Sequence, residues 1–421
     1  MKKVVVTGLG FISSIGNDIP EVLNSLRELR HGFEAFPLRE GEEAPVKFYG
    51  SIKGYDTLSY DQEDWVFPKK YKLSRLQLKT MSPHVLYAHC ATMDALEDAG
   101  LDRDAVSDPR TGLYSASAGS ASTQGEQMRI MNERGVMRCS PFCVVTSTVG
   151  TINFNLVASL KIKGSVCGMA SACASSAHAL GFAFDEIACG RQDRMIVIGA
   201  EDGNRESILP FAAMRALSLE SDPERASCPF DKDRSGFLGT GGATAIILES
   251  EEAAKARQAS IYAQFVGWGQ GADGYSPAIS QPGGHGLARS MHNAIAAAGL
   301  SPQDIDYVNA HGTSTPVGDL SEIHALSSVF GTTANGPRVS STKALTGHGL
   351  SLAGAMEAGF SCLAIKEGFM PGSAHIQEVD PEAEGLKIIR ETIPEAPRVV
   401  LSNSSGFGGA NVTLAFQSWA G

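Results

Sequence analysis

The sequence predicts an α/β fold assembled from two similar halves. Three observations carry the prediction. Short Val/Ile/Leu runs alternate with longer alanine-rich amphipathic runs. The same order of local signals occurs twice along the chain. With 421 residues, 43% of them hydrophobic and 19% charged, the chain also holds ample apolar material for a large core.

In order along the chain, Lys3–Thr7 reads as a buried first strand and Val85–Ala99 as a helix. The stretch Asp94–Leu101, D-A-L-E-D-A-G-L, closes that helix with a glycine. An acidic-polar turn and the apolar run Gly112–Ser117 follow. The small-residue turn Met169–Ser176 then leads into a helix over Ala174–Ala188, and Arg194–Ile198 and Thr244–Leu248 read as strands. The second pass repeats these signals. Asn293–Leu300, N-A-I-A-A-A-G-L, closes another helix, Ile305–Ala310 is the apolar run, and Lys343–Ala355 is the small-residue turn before a long alanine-rich helix. The expected division is an N-terminal half over residues 1–255 and a C-terminal half over 256–421, joined through the charged segment Glu251–Ala259. Residues 30–80 and 115–150, richer in polar and aromatic residues, read as insertions.

The bulk numbers exclude several classes. A net charge of −11 argues against general nucleic-acid binding. No apolar run approaches the roughly 18 residues of a membrane span. The start, Met-Lys-Lys-Val-Val-Val, imitates a signal peptide, but Gly8, Gly10, Ser13 and Ser14 interrupt it and no small-residue cleavage site follows. Eight dispersed cysteines do not form a disulfide scaffold, and Cys139 and Cys143 lack a second zinc-ligand pair. A cytoplasmic location is expected. Gly8-Leu-Gly10 lacks the third glycine of a dinucleotide fingerprint. Asp231-Lys-Asp233 starts like a calcium loop, but Gly242 stands where its bidentate Glu belongs.

Four segments carry chemistry. In Met169-Ala-Ser-Ala-Cys173-Ala-Ser-Ser-Ala-His178, a cysteine lies among small residues where a turn enters a helix. A thioester can approach closely there, and the helix N-terminus favours thiolate. Asn309-Ala-His311-Gly-Thr313-Ser-Thr315 puts a histidine at a strand end before a hydroxyl-rich turn. Ser341-Thr-Lys343-Ala-Leu-Thr-Gly-His348 adds a lysine and a second histidine, with Glu357 on the following helix. The tail, Ser402-Asn-Ser-Ser-Gly406-Phe407-Gly-Gly409-Ala-Asn411, is a glycine-rich turn beside an aromatic. Each residue alone has an ordinary structural explanation. Together they are hard to dismiss.

These segments resemble the condensing enzymes of the thiolase superfamily, and within them the Cys-His-His elongating β-ketoacyl-acyl-carrier-protein synthases. The similarity runs from Val-Thr-Gly-Leu-Gly at residues 6–10 to Ser-Gly-Phe-Gly-Gly at residues 405–409. Thiolases pair two cysteines with a histidine, and chain-initiating synthases use Cys-His-Asn; His348 stands where that asparagine would be. The resemblance implies a thiolase-like fold with its two βαβαβ-type halves in a layered αβαβα arrangement. It implies Cys173 as acyl acceptor, His311 and His348 as the decarboxylation and condensation pair, and Lys343 as the charge that organises them, with Glu322 and Glu357 in support. Thr313 and Thr315 would bind the phosphopantetheine arm. Phe407 would be the gate, its N–H joining that of Cys173 as the oxyanion hole. A homodimer, an acyl-carrier-protein partner and no cofactor are further implications, with a structural monovalent cation at Asn309, Glu357, Ser402 and Asn403.

The sequence departs from relatives at Ser405, usually Phe, and Ala410, usually Thr. A smaller Ser405 is expected to loosen the gate loop or widen the acyl pocket. The acidic carrier of the family picture requires a local basic surface. The stretch Lys69, Lys70, Lys72, Arg75 and Lys79 has no acid among it, and Arg215 and the cluster Arg129, Arg134 and Arg138 are second candidates. The expected reaction is decarboxylative condensation in fatty acid elongation. A ketosynthase of a specialised polyketide or aryl-polyene pathway, and a non-catalytic chain-length-factor-like subunit, are the alternatives.

Overall fold

The computed structural model describes residues 1–38, 43–332 and 335–420, so residues 39–42 of the first insertion lie outside the described residues. The main elements run in two passes. The first is β1 (Val4–Ile12), α1 (Pro83–Asp98), β2 (Thr111–Ala116), α2 (Thr151–Leu160), β3 (Val166–Met169), α3 (Ser175–Ala188), β4 (Arg194–Glu201) and β5 (Gly242–Ser250). The second is β6 (Ala263–Ala272), α4 (His285–Ala297), β7 (Tyr307–Asn309), α5 (Pro316–Phe330), β8 (Arg338–Ser340), α6 (Ala353–Glu367), β9 (Val399–Gly406) and β10 (Ala410–Gln417). The glycines that end α1 and α4 in the sequence, Gly100 and Gly299, take the left-handed conformation at φ +65° and +69°.

Strand pairing repeats with the same sense. Outward from the centre, one set runs β1-β5-β4-β2-β3 and the other β6-β10-β9-β7-β8, the latter extended by the short strand Lys387–Ile388. In each set the first three strands are antiparallel and the last two join in parallel. The sets meet where β1 pairs antiparallel with β6, Val4 opposite Phe265. Helix α1 covers β1, β5 and β4 on one outer face, and α4 covers β6 and β10 on the other. Helices α3 and α6 pack on each other and on strands of both sets. Helix α6 is buried continuously from Ala353 to Ile365, as a central layer requires. This is the αβαβα layering of a thiolase-like fold.

The extra material lies where the second pass has little. Between β1 and α1 come a separate two-stranded sheet (Phe33–Ala35 with Phe48–Gly50) and short helical turns. Between β2 and α2 comes the helix Ala121–Arg134. The first strand is longer than expected because Gly8 and Gly10 lie inside it. A Cβ on Gly8 would come within 2.5 Å of the Ala95 carbonyl oxygen, and on Gly10 within 2.0 Å of that of Ala91. These glycines let α1 lie close against β1; they do not break the strand.

The connection between the passes holds a buried charge cluster. Glu249, fully buried at the end of β5, accepts from Thr7 Oγ1 at 2.7 Å and pairs with Arg194 at 2.9 Å and with Arg257. Arg257 also donates to the Ala99 carbonyl at 2.6 Å, tying the connection to the end of α1. Burial pushes the Glu249 carboxyl up, but hydrogen bonds from Arg257 and Thr7 and the Arg194 charge outweigh it and hold it below its ordinary value. A depressed carboxylate stabilises the fold above its unfolded-state pKa, and that contribution is lost as pH falls through the folded pKa. Glu249→Ala is expected to cost about 3 kcal/mol, the order found when one partner of a buried pair is removed. Urea unfolding at pH 7 measures it. The difference from wild type should shrink toward pH 3.

All eight cysteines are free, so Cys139 and Cys143 form no bridge. Among the described residues, no helix is long and apolar enough to cross a membrane.

Candidate active site

The fold brings the predicted residues together at one end of the two central helices. Cys173 precedes α3 in a turn whose neighbour Ala172 is left-handed at φ +51°, a strained conformation for a residue with a side chain. The turn is held locally: the Ser171 N–H donates to Ser175 Oγ at 2.7 Å, and that hydroxyl donates to the Ala172 carbonyl at 2.5 Å. Two other turns of the site carry left-handed residues, Ser314 (φ +71°) between the threonines and Leu350 (φ +50°) after His348.

The Cys173 sulfur lies 3.0 Å from His348 Nε2. The His311 and His348 rings stand 5.3 Å apart, nearly perpendicular at 86°. Burial, and then the Lys343 charge, lower both histidines well below an ordinary histidine. Both are therefore neutral imidazoles at neutral pH. Lys343 Nζ donates to the His311 carbonyl at 2.6 Å and forms an ion pair with Glu357, both side chains buried. Burial pushes the Glu357 carboxyl up to about 7 against the pull of Lys343. Glu322 accepts from the His311 N–H at 3.0 Å and the Gly312 N–H at 2.7 Å, so it fixes the backbone of the histidine turn. Thr313 and Thr315 hydroxyls meet at 3.0 Å.

One expectation changes. The helix start suggested a thiolate, but Cys173 is pushed up to about 12, first by burial, with the Lys343 charge opposing and Glu201 adding. The resting pair is a neutral thiol beside a neutral imidazole. Burial raises the thiol because Cys173 packs against an apolar cluster that includes Ile208, Leu217, Phe237 and Leu350.

Phe407 is 39% exposed, and its ring lies 6.0 Å from Phe211. Phe211 meets Phe237 at 5.3 Å, and Phe237 meets His348 at 5.3 Å. A run of aromatic rings thus leads from the surface to the histidines. The sequence offered no sign of Phe237, which sits in an ordinary strand-like context. Nor did anything in the sequence single out Phe211. Gly406 packs on the nucleophile turn, where a Cβ would lie 3.1 Å from the Cys173 nitrogen.

Ser405 does not loosen the gate loop. Its hydroxyl donates to Asn411 Oδ1 at 2.7 Å, and Asn411 Nδ2 donates to Asp273 Oδ1 at 2.8 Å and the Gly409 carbonyl at 3.0 Å. A small polar residue here ties the loop to β10 and the turn after β6.

The basic stretch also differs from expectation. Lys70 pairs with Asp94 at 2.9 Å, and Arg75 (Nε to Oε1, 2.6 Å) and Lys79 (3.8 Å) share Glu63. Acids distant in sequence reach three of its five cations. Lys69 and Lys72 are exposed. Arg129 is likewise held by Glu126 and Glu133. Arg215 is exposed and adjoins Ala216, which packs against the same apolar cluster as Cys173.

Of the oxygen atoms expected around a cation, Ser402 Oγ and Glu357 Oε2 are buried with no hydrogen-bond partner among the described residues. Asn309 Nδ2 donates to the Glu357 carbonyl at 3.3 Å. The Asn403 side chain is committed elsewhere, to Glu322 (3.1 Å) and Thr413 (2.9 Å), so it is not a side-chain ligand. Among the described residues, His31, Glu224 and His375 form the group with metal-ligand atoms, all within 4.8 Å. His31 Nδ1 accepts from the Phe33 N–H at 3.1 Å, which leaves the proton on Nε2 to donate to Glu224.

The chain matches the beta-ketoacyl synthase N-terminal domain over residues 1–254 and the C-terminal domain over 262–377. It is 39% identical to 3-oxoacyl-[acyl-carrier-protein] synthase 1 of Haemophilus influenzae, over the full length of both chains. A beta-ketoacyl synthase from Burkholderia phymatum superposes with a TM-score of 0.89 at 32% identity, covering 100% of each chain. A type II PKS acyl-carrier protein in complex with its ketosynthase bound to the hexaketide matches with a TM-score of 0.87 at 26% identity, covering 99% of each chain. Two five-strand sets around two shared helices, with a cysteine, two histidines and a lysine at one end, thus coincide with a full-length relationship, and the chain belongs to the beta-ketoacyl synthase family.

Proposed function

We propose that this chain catalyses decarboxylative Claisen condensation in fatty acid elongation, joining an acyl group on Cys173 to malonyl carried by acyl-carrier protein. The observation that carries the reading is the 3.0 Å contact between Cys173 Sγ and His348 Nε2, with His311 beside it and Lys343 behind. Cys173 attacks the acyl thioester as its proton passes to His348, which hands it on to the departing sulfur so that the carrier leaves as the free thiol. Backbone N–H groups of Cys173 and Phe407 stabilise the tetrahedral oxyanion. Malonyl thioester then loses CO₂, and neutral His311 and His348 donate to the enolate oxygen. The enolate carbon attacks the acyl-Cys173 carbonyl, forming the C–C bond and releasing the thiolate. The histidines supply the hydrogen bonds and no cofactor is invoked. The intact cysteine–histidine pair argues against a non-catalytic partner subunit, and the 39% identity to a 3-oxoacyl-[acyl-carrier-protein] synthase favours elongation over a polyketide pathway.

Supporting proposals follow from the surface and the buried oxygens. A second copy of the chain covers the edge of β3, where Val166 is 43% exposed and Phe154, Val144 and Met137 are exposed close by in sequence. An open sheet edge with exposed apolar side chains calls for a partner. Asn309, Glu357 and Ser402 present oxygen donors suited to a hard monovalent cation. Thr313 and Thr315 receive the phosphopantetheine arm. Carrier docking falls to Arg215 with Lys69 and Lys72, since Lys70, Arg75 and Lys79 are already paired.

The test is an assay with malonyl-carrier protein and acyl primers of graded length, run beside a small acyl thioester. β-Ketoacyl-carrier product is the expected outcome, and its absence with every primer would refute the reading. Arg215→Glu should raise the apparent KM for carrier-bound primer several-fold at low salt and leave the small thioester unaffected, the difference fading as salt rises. Equal impairment of both substrates would remove Arg215 from the docking surface.

A further inference from the structure

His178, in the first turn of α3, contacts the nucleophile turn at Ser171. Its Nε2 lies 3.2 Å from Gln270 Oε1 and its Nδ1 lies 2.8 Å from Ser171 Oγ. An amide oxygen only accepts, so Nε2 carries the proton and Nδ1 is left to accept from the Ser171 hydroxyl. The ring is set further by Phe182, stacked at 5.9 Å, and by Trp268, edge-on at 6.3 Å. Trp268 and Gln270 belong to β6, so the imidazole ties the turn of one strand set to a strand of the other.

Ser171 is the hinge of the turn. Its N–H is held by Ser175, its carbonyl accepts from the Ala174 N–H at 3.2 Å, and the next residue is the strained Ala172. Its carbonyl is also the atom nearest Gly406, where a Cβ would meet it at 2.6 Å and the Cys173 nitrogen at 3.1 Å. A shift of Ser171 therefore moves the Cys173 N–H relative to the end of β9, which Phe407 follows directly. Those are the two donors read as the oxyanion hole.

We propose that His178 is a positioning residue for acyl transfer: through Ser171 it holds the strained turn so that Cys173 and the oxyanion donors face the same carbonyl. This rests on the reading of Cys173 as the nucleophile. Burial lowers His178 below an ordinary histidine, which keeps it in the neutral, accepting form at neutral pH. The role differs from those of His311 and His348, because His178 meets neither the thiol nor the enolate.

The experiment separates the half-reactions. His178→Phe keeps the aromatic packing and removes both hydrogen bonds; Ser171→Ala removes the other end of one bond without touching the aromatic cluster. Each should slow acylation of Cys173 by an acyl thioester about 10- to 100-fold, the scale of a small misplacement at a reacting centre. The double variant should be little slower than either single one, since both remove the same contact. Malonyl decarboxylation in the Cys173→Gln background should be unchanged by adding either substitution. Wild-type acylation rates in both single variants would overturn the proposal. So would an equal loss in acylation and decarboxylation, which would mark His178 as a general structural residue. If Cys173→Ala itself still forms acyl-enzyme, the nucleophile reading has failed, a result distinguishable from normal acylation in His178→Phe alone.

Discussion

Cys173→Ala should form no acyl-enzyme, and condensation should fall by about 10⁴-fold or more, the scale seen when a covalent nucleophile is deleted. The expectation rests on where the sulfur lies. It is the thiol within hydrogen-bonding distance of a neutral, buried imidazole, at the start of a helix shared by both strand sets. The other free thiols have different surroundings: Cys90, Cys228 and Cys362 are buried, Cys167 and Cys189 are exposed, and the half-buried Cys139 and Cys143 follow the helix Ala121–Arg134, Cys139 donating to the Gln127 carbonyl. Because burial holds Cys173 as a thiol at neutral pH, its reactivity toward a small alkylating agent should rise steadily through pH 9 without levelling off. Incubation with radiolabelled acyl thioester and mapping of the labelled peptide decides the nucleophile. Label on any peptide other than that of Cys173, or acylation of the alanine variant at the normal rate, would reject the assignment. A plateau of alkylation below pH 8 would show instead that the resting form is a thiolate.

Much of this was legible in the sequence because the relevant signals are local. Glycines after α1 and α4, apolar runs and small-residue turns recur in one order, and the strand sets repeat in that order. Cysteine, lysine and both histidines each sit in a turn of small residues, where bulky neighbours would block a substrate, so they stood out individually. What stayed hidden depends on distant segments meeting. Gly8 and Gly10 look like strand breakers until α1 is seen against them. Lys70, Arg75 and Lys79 look unopposed until Asp94 and Glu63 arrive. The Cys173 thiol looks activated until the apolar cluster around it is known. Phe407, Phe211, Phe237 and His348 come from four separate stretches, and no periodicity links them. Ser405 looked like a loss of bulk; its use is a hydrogen bond to Asn411, six residues on, across the β9–β10 hairpin.

His311→Ala and His348→Ala should each slow malonyl decarboxylation by about 10²- to 10³-fold, the usual consequence of deleting one donor to a developing oxyanion. The first acyl transfer should suffer less in His311→Ala, because the enolate exists only in the later half-reaction and a lost donor costs most where charge develops. His348→Ala should slow both halves, since His348 also touches the Cys173 thiol. Lys343 enters through the same site. Its ammonium holds the His311 carbonyl and, with burial, lowers both imidazoles, so the pair stays neutral and able to donate without carrying charge. The pH sign follows. A histidine lowered below its ordinary value stays neutral as pH falls through 6.5, so decarboxylation should remain flat from pH 8 to below 6.5 and decline only in more acid solution. Lys343→Met removes the charge that, after burial, most lowers both histidines, and should move that decline to higher pH. Separate assays of malonyl-carrier decarboxylation and of Cys173 acylation, each followed from pH 5 to 8, measure all of this. Equal losses in both half-reactions for His311→Ala would mean that this histidine serves the thiol or the fold. A decline centred near pH 6.5 in the wild type would mean that the imidazoles titrate as ordinary histidines and that Lys343 does not set their charge.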